Sequence, residues 1–464
     1  MTTLTAAFAQ AAADYHDRTA LIDGDGTAYG FSEVKELADR YAVAWSAKGV
    51  RPGDRVLIAM GIGADLYASL AALWSLGATA VLPEPAMGLA GIKTAIKATD
   101  PRFFCAAGPY RWIKLMVPGL WGAKLLTPGQ QNTVAYPKQD VDPDSTALIS
   151  FTSGTTGTPK AIPRSHAFLM AQWKAVAPLL QSEAAEIDLV TFPVFVLINL
   201  AEGRTSVLPS WKMSKLSSLD ASAVVHWIKT HGCTRALLPP ALCEKVVAAQ
   251  DTGTLHHILT GGGPVFPDVV QRLKDITPEL EVTTVYGSTE AEPIAHAHTT
   301  VQGYGLFAGH PVDAVRLRIV EGEIQVAGDH VNTGYLDPAR DRETKVRDGD
   351  AIWHRTGDAG HLDDQGRLWL LGRVGDEVRT ERGVQHPFAI ETAARMWPGV
   401  SRVALMERDE LPVLVVAGDA KQVELWRGRA AEFGINEVQH VAAIPLDKRH
   451  HSKVDRVALR KLLG

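Results

Sequence analysis

The stretch that decides the fold is TALISFTSGTTGTPK, residues Thr146 to Lys160. It opens with a compact apolar run, Ala147 to Phe151, which has the pattern of a buried strand. It continues into a segment crowded with hydroxyls and carrying Gly154, Gly157 and Lys160, and a helical stretch begins at His166. A strand that feeds a Gly/Ser/Thr loop and then a helix is the repeating unit of a parallel sheet. In such sheets ligands gather at the carboxyl ends of the strands. The loop does not fit the Walker pattern, because Lys160 follows a proline and has no Ser or Thr after it. Its composition nevertheless suits a polyphosphate: glycines let backbone N–H groups approach phosphate oxygens, and the hydroxyls and lysine add donors. A plain surface loop would share that composition, so neighbouring motifs must decide between the two.

Outward from this stretch the same rhythm recurs. Phe31 to Lys48 has helical apolar spacing and stops at Gly49, and Arg55 to Met60 reads as a strand. Ala64 to Leu76 is helical again, and Ala78 to Leu82 returns as a strand. Downstream, strand-like runs at Leu189 to Phe192, Arg235 to Leu238, His257 to Leu259 and Val282 to Tyr286 each meet Gly, Pro, Ser or Thr before a helical stretch. This predicts an α/β fold, with a large N-terminal region of parallel-sheet layers covered by helices. From about Val301, short β-rich runs such as Val315 to Val320 and Gly322 to Val326 predict a small antiparallel or barrel-like unit. After Gly372-Arg373 two βα-like stretches follow. We therefore divide the chain into a core, 1–372, and a small mobile α/β C-terminal lid, 373–464.

Bulk properties exclude several function classes. The chain has 464 residues, 46% apolar and 21% charged, enough for more than one packed unit. A net charge of -5 gives no reason to expect a nucleic-acid partner. Cys105, Cys233 and Cys243 form no CxxC pair, which predicts buried thiols in a reducing compartment. The N-terminal MTTLTAAFAQAAADYHD lacks a basic leader and reads as an amphipathic helix. The longest apolar run, Leu189 to Ala201, is broken by Thr191, Pro193 and Asn199 and falls short of a bilayer span. A cytoplasmic protein without stable membrane insertion is the expectation. The pairs His256-His257 and His450-His451 lack metal-ligand spacing, so no zinc site is predicted.

The order of residues in TSGTTGTPK resembles the phosphate loop of the adenylate-forming superfamily: acyl-CoA synthetases, peptide-synthetase adenylation domains and luciferases. Further motifs follow in the family's order. Thr260-Gly261-Gly262-Gly263-Pro264 is similar to the loop lining the adenine and substrate pockets. Tyr286-Gly287-Ser288-Thr289-Glu290 matches the next motif, and Arg355-Thr-Gly-Asp358, then Gly372-Arg373, match the ribose-binding segment. Lys453 in Ser452-Lys-Val-Asp-Arg456 matches the C-terminal lysine. The resemblance covers about residues 20 to 460 and implies the following roles. Thr152, Ser153, Gly154, Thr155, Thr156, Gly157 and Lys160 hold phosphates. Gly262, Gly263, Pro264, Tyr286, Gly287 and Ser288 line the nucleotide site. Thr289 contacts the α-phosphate, Glu290 binds Mg²⁺, Asp358 and Arg373 hold the ribose, and Lys453 is catalytic. Without these companions Asp358 would read as an ordinary turn and Lys453 as a solvated lysine in a basic tail. The resemblance implies ATP and Mg²⁺ as cofactors and a small-molecule carboxylic acid as substrate. Two anions must meet in that reaction, so cationic groups where charge builds on phosphorus make chemical sense.

Two departures bear on the acyl acceptor. Acyl-CoA ligases carry a histidine after a Pro-x-Phe step, where this chain has Val196, and an aspartate at the hinge, where it has Gly375 beside Asp376. CoA is therefore not the favoured acceptor. Pro85-Ala-Met-Gly88, Asp188-Leu-Val-Thr-Phe-Pro193, Thr260 to Val265, Ala291-Glu-Pro293 and Arg449-His-His-Ser-Lys453 look closer to the olefin-pathway β-lactone synthetases. In that branch the hydroxyl of an adenylated β-hydroxy acid displaces AMP to close a four-membered ring. Delivery to CoA, to an amine or to an acyl carrier acting in trans is the alternative, and a non-catalytic nucleotide-binding relative is disfavoured because Glu290, Asp358 and Lys453 are all retained. For the acyl pocket, Phe195, Val196, Leu197, Ile198 and Gly261 are candidate walls, although core packing would explain the apolar side chains at least as well.

Overall fold

The computed structural model describes residues 3–83, 87–129, 140–152, 159–447 and 452–464. A six-stranded sheet runs in the order Lys124–Leu126, Phe103–Ala106, Arg55–Ala59, Thr79–Leu82, Thr146–Thr152, Lys160–Ser165. All pairings are parallel except the last, where Lys160–Ser165 doubles back on Thr146–Thr152. The helix Ala64–Ser75 lies against this sheet, and the Trp74 indole N–H donates to the Ala147 carbonyl at 2.8 Å.

The second sheet contains fourteen strands. Its parallel half is Glu281–Ser288, His257–Gly261, Arg235–Leu238, Ile187–Val190, Thr205–Val207 and Thr19–Ile22. The structure corrects the sequence reading here. No helix follows Tyr286; the motif turns straight into a hairpin with Ala291–Ala297, pairing Tyr286 with Ala295 and Ser288 with Ala291. The antiparallel region thus begins at Ala291, not near Val301. It continues the parallel sheet as one surface through Leu306–Pro311, Leu368–Arg373, Ala351–Leu362, Glu323–Ala327 and Arg316–Val320. The physical reason is that the hairpin pairs the outer side of Glu281–Ser288, leaving no free edge at which a separate unit could start.

One core joins the two sheets, with Trp45, Leu73 and Val196 of three different helices at 0% exposure. The apolar run from Leu189 is divided by Pro193, which occupies the first turn of the helix Pro193–Glu202. Gly203 ends that helix at φ 73°, and a Cβ there would stand 2.2 Å from the Tyr15 ring. Cys105, Cys233 and Cys243 are free and buried, and burial pushes each thiol up to about 12. No helix among the described residues is long and apolar enough to cross a membrane.

After Arg373 come a short hairpin, the helix Pro387–Arg395, and a three-stranded sheet of Val400–Arg408, Leu411–Gly418 and Glu437–Val441. The helices Val423–Ala431 and Arg456–Leu463 complete this part, around buried Trp426, Leu405 and Leu459. It meets the rest of the chain through a buried arginine. Arg395 bonds Asp268 at 2.6 and 2.8 Å and Glu244 at 3.4 Å, and Arg402 bonds Glu244 at 2.5 Å.

A pH-sensitive joint lies at the N-terminus of the helix Ala64–Ser75. The Asp23 carboxylate accepts the Ala64 N–H at 3.0 Å, and Gly63 permits the approach because a Cβ there would sit 2.9 Å from Asp23 Oδ2. Burial raises the Asp23 carboxyl from 3.8 to about 6; the Ala64 bond opposes this, and Asp25 and Asp65 add to it. The folded state therefore prefers protonated Asp23. This stabilisation is complete below pH 3.8 and is lost as pH rises through about 6. Asp23→Asn keeps an acceptor for Ala64 without the charge. The variant is expected to match the parent in acid and, once the shift is discounted for solvent screening of this part-exposed carboxyl, to exceed it by on the order of 1 kcal/mol at about pH 7.5, as urea titrations at the two pH values would show.

Candidate active site

The carboxyl ends of both sheets open into one continuous cleft of about 1470 Å³, with Ser452 and Lys453 from the C-terminal part on its rim. Pockets for one small ligand usually run about 300–1,000 Å³, so this cleft has room for a nucleotide and a second reactant. Strand ends supply its floor. Thr152 and Lys160 face each other across the hairpin register that brackets the glycine loop, and both line the cleft. Ser153, Gly154, Thr155, Thr156 and Gly157 lie outside the described residues, as do Pro85 and Ala86 and the segment Arg449 to His451.

The Tyr286–Glu290 motif reaches two different polar groups. At one end the Tyr286 hydroxyl donates to Asp358 Oδ2 at 2.8 Å, while Arg373 holds Asp358 Oδ1 at 2.8 Å. Asp358 and Arg373 are register partners on adjacent antiparallel strands, which explains how motifs 15 residues apart meet. Burial first, then the Asp358 charge and hydrogen bond, pushes the Tyr286 phenol well above its ordinary value. The turn before Asp358 is pinned by buried Glu323, which accepts from Arg355 Nε at 2.6 Å and from the Gly357 N–H at 3.0 Å.

At the other end, Glu290 accepts from the Tyr335 hydroxyl at 2.9 Å. Its backbone is fixed on both sides: Arg164 donates to the Thr289 carbonyl at 2.7 Å, and the Asn332 N–H to the Glu290 carbonyl at 2.7 Å. Burial pushes the Glu290 carboxyl up, but His354, the Tyr335 hydroxyl and Lys345 outweigh it and hold the group below its usual value. Tyr335 lies between two lysines, with Lys160 Nζ 5.1 Å and Lys345 Nζ 5.2 Å from its ring centre. Lys345 also bonds the Asn332 carbonyl and His354 Nδ1. Burial brings Lys345 down to about 8 against the pull of Glu290 and Asp341, and brings His354 down to about 4. Arg164, Glu323, Tyr335, Lys345 and His354 were absent from the sequence reading. Tyr335 and Lys345 carry no motif, and only the fold brings them to Glu290.

The glycine loop after His257–Gly261 forms the seat for the C-terminal part. Gly262 has φ 77°, and a Cβ on Gly263 would stand 2.6 Å from the Ser452 Cβ, so that contact requires glycine. Asp447 shapes the presenting turn by accepting the N–H groups of Ser452 at 2.9 Å and Lys453 at 2.8 Å. Lys453, Pro264, Gly287, Ser288 and Thr289 line the same cleft as Glu290, Asp358 and Arg373. The buried hydroxyls of Ser150 and Ser288 have no hydrogen-bond partner among the described residues, although both residues line the cleft.

Of the acyl-pocket candidates Leu197 lines the cleft, whereas Phe195, Val196, Ile198 and Gly261 do not. Phe195 and Val196 point into the core at 6% and 0% exposure, because the helix Pro193–Glu202 presents Pro193, Val194 and Leu197 to the cleft. Gly261 is turned toward its neighbouring strand, where a Cβ would meet the Val285 carbonyl at 2.4 Å.

Comparison with known proteins agrees with this geometry. The family AMP-binding enzyme matches residues 8–336. An olefin beta-lactone synthetase of Stenotrophomonas maltophilia is 27% identical, over 92% of this chain and 90% of its own length. A 2-succinylbenzoate–CoA ligase of Bacillus licheniformis is 26% identical, over 85% of this chain and 84% of its own. The o-succinylbenzoate coenzyme A synthetase of Bacillus subtilis, solved with ATP and magnesium ion, superposes with a TM-score of 0.80 at 20% identity, covering 98% of this chain and 99% of that one. The chain belongs to the AMP-binding enzyme family and is an ATP-dependent, carboxylate-activating enzyme of the adenylate-forming kind.

Proposed function

We propose that this cleft adenylates a β-hydroxy acid and then closes the acyl-adenylate to a β-lactone. In the first step a carboxylate oxygen bonds to the α-phosphorus of ATP and pyrophosphate leaves. In the second the β-hydroxyl oxygen bonds to the acyl carbon, its proton passes to a base, and AMP leaves. Asp358 and Arg373 orient the ribose, Tyr286 covers the base, and Lys160 with the glycine loop holds the departing phosphates. Lys453 sets its ammonium beside the α-phosphate, and Thr289 donates there.

The donor set suits a magnesium ion, which binds through one or two carboxylates together with substrate phosphates. Glu290 is that carboxylate, held ionised and aimed by Tyr335. When bound, the ion offsets negative charge on the phosphates. The division at 372/373 into core and lid fits this scheme, since residues beyond it bring Lys453 to the cleft.

The observation that favours the lactone over a thioester is how the C-terminal part is fastened. Arg395 and Arg402 bind it to Asp268 and Glu244, and within it Asp376 beside the hinge is taken up by Arg456 at 3.0 Å. No ionisable side chain of the helix Pro193–Glu202 lines the cleft. An intramolecular nucleophile needs neither a second lid position nor a second substrate channel. The similarity to the olefin beta-lactone synthetase points the same way.

The test is mass spectrometry of products after incubation with ATP, Mg²⁺ and a panel of β-hydroxy acids, with and without CoA. Lactone and AMP formed without CoA are expected. A CoA thioester, or an adenylate that only hydrolyses, would retain the adenylation chemistry and overturn the lactone step.

A further inference from the structure

We propose that residues 87–129 form a docking surface for an anionic lipid bilayer, placed at the mouth of the cleft. Four large apolar side chains on consecutive short turns stand in solvent: Trp112 at 65%, Leu115 at 66%, Met116 at 62% and Trp121 at 65% exposure. Tyr110 and Leu89 extend the patch at 43% and 40%. Scattered surface apolar residues need no explanation, but a contiguous patch of this kind marks an interaction site.

The exposure is built in. Val117, Leu120 and Ala123 anchor the inner side of the same turns in a core cluster, at 2%, 0% and 5% exposure. Beneath them the Lys114 ammonium is held by the carbonyls of Leu120, Trp121 and Ala123 at 3.0, 3.0 and 2.5 Å. The outward side chains therefore cannot turn inward without unseating three buried residues.

Charge identifies the partner. Residues 87–129 contain six Lys or Arg and a single acid, Asp100, in a chain whose net charge is -5. Lys93, Lys97, Arg111 and Lys124 are exposed on this same segment. Exposed indole, thioether and leucine tips on a segment rich in exposed cations match a headgroup–acyl boundary with anionic lipids, where the tips sink and the cations stay at the phosphates. Leu89, Tyr110 and Ile113 belong both to this segment and to the cleft wall, so an apolar path leads from the docked face inward. An acid with an apolar tail could take that path from the bilayer. The surface is part of the folded core and needs no spanning segment.

The full chain would be sedimented with phosphatidylcholine vesicles and with phosphatidylcholine–phosphatidylglycerol vesicles, at low and high salt. Binding to the anionic vesicles that weakens with salt is expected. A variant carrying Trp112→Ser, Leu115→Ser, Met116→Ser and Trp121→Ser should lose about tenfold or more of it. Lys93→Glu with Lys97→Glu keeps every apolar tip and should also weaken binding, while Leu411→Ser, an equally exposed site elsewhere, should not. A parent chain that stays in the supernatant, or a fourfold variant that binds like the parent, would overturn the proposal. So would light scattering that shows a parent dimer and a monomeric fourfold variant with no vesicle binding, which would make the patch a face between copies of the chain.

Discussion

Lys453→Ala is expected to slow acyl-adenylate formation by about 10²–10³-fold while leaving ATP affinity within about twofold of the parent. The asymmetry follows from how the lysine is presented. Its turn is held by main-chain bonds: Asp447 accepts the Lys453 N–H at 2.8 Å, the Asp447 N–H donates back to the Lys453 carbonyl at 2.8 Å, and Leu446 bridges Val454. Ser452 stays seated on Gly263 through its own side chain. The substitution therefore removes an ammonium and nothing that shapes the loop. In the proposed scheme the ground-state contacts to ATP are made by Asp358, Arg373 and Lys160, which line the same cleft and are left untouched. An interaction lost only where charge develops lowers turnover without lowering affinity. Pyrophosphate release and a calorimetric ATP titration on the same preparation check both halves. Near-normal pyrophosphate release would remove the lysine from the chemistry, and a large loss of ATP affinity would make it a ground-state ligand.

The chemistry was more legible in the sequence than its support. Motifs such as Thr260 to Pro264 and Gly287 to Glu290 announce themselves because they sit where a strand ends in a turn, and there spacing and glycine content are dictated locally. Arg235–Leu238 was read with its observed bounds because its apolar run is short and clearly bounded. The hairpin after Tyr286 was missed because the turn Gly287 to Glu290 has the same Gly/Ser/Thr composition that elsewhere leads into a helix. Helical phase explains the error at Phe195 and Val196. In a run as uniformly apolar as Val194 to Ile198, periodicity carries no information about which face meets the cleft. Tyr335, Lys345 and Arg164 were invisible for a different reason. They reach Glu290 and Thr289 from 45, 55 and 125 residues away. Nothing in their own surroundings marks them.

One residue of a stretch that supported the subfamily resemblance carries stability, and it gives the second large effect. Asp188 opens the segment likened to the lactone branch, yet its side chain is fully buried away from the cleft. It faces Arg235 across neighbouring parallel strands, with bonds of 2.8 and 2.9 Å, and both side chains are at 0% exposure. Asn199 donates to its second oxygen at 2.9 Å, and Arg235 spends another donor on the Leu180 carbonyl at 2.9 Å. Asp188→Ala would leave a buried guanidinium with one carbonyl bond and only the Glu186 carboxylate nearby to offset its charge. Breaking such a pair on one side costs about 3–5 kcal/mol, because the remaining charge has neither water nor partner. Replacing both ends with apolar groups removes that penalty, so Asp188→Leu with Arg235→Met should recover most of the loss. The cleft lies at the opposite, carboxyl ends of these strands, where Val190, Thr191 and Leu208 line it. Adenylation by whatever fraction remains folded should therefore keep its parental rate per active site. Urea unfolding of the single and double variants, with active-site titration, separates the outcomes. A single variant as stable as the parent would mean that water reaches Arg235. A folded single variant with impaired adenylation would mean that this network sets the cleft's geometry as well as the sheet's stability.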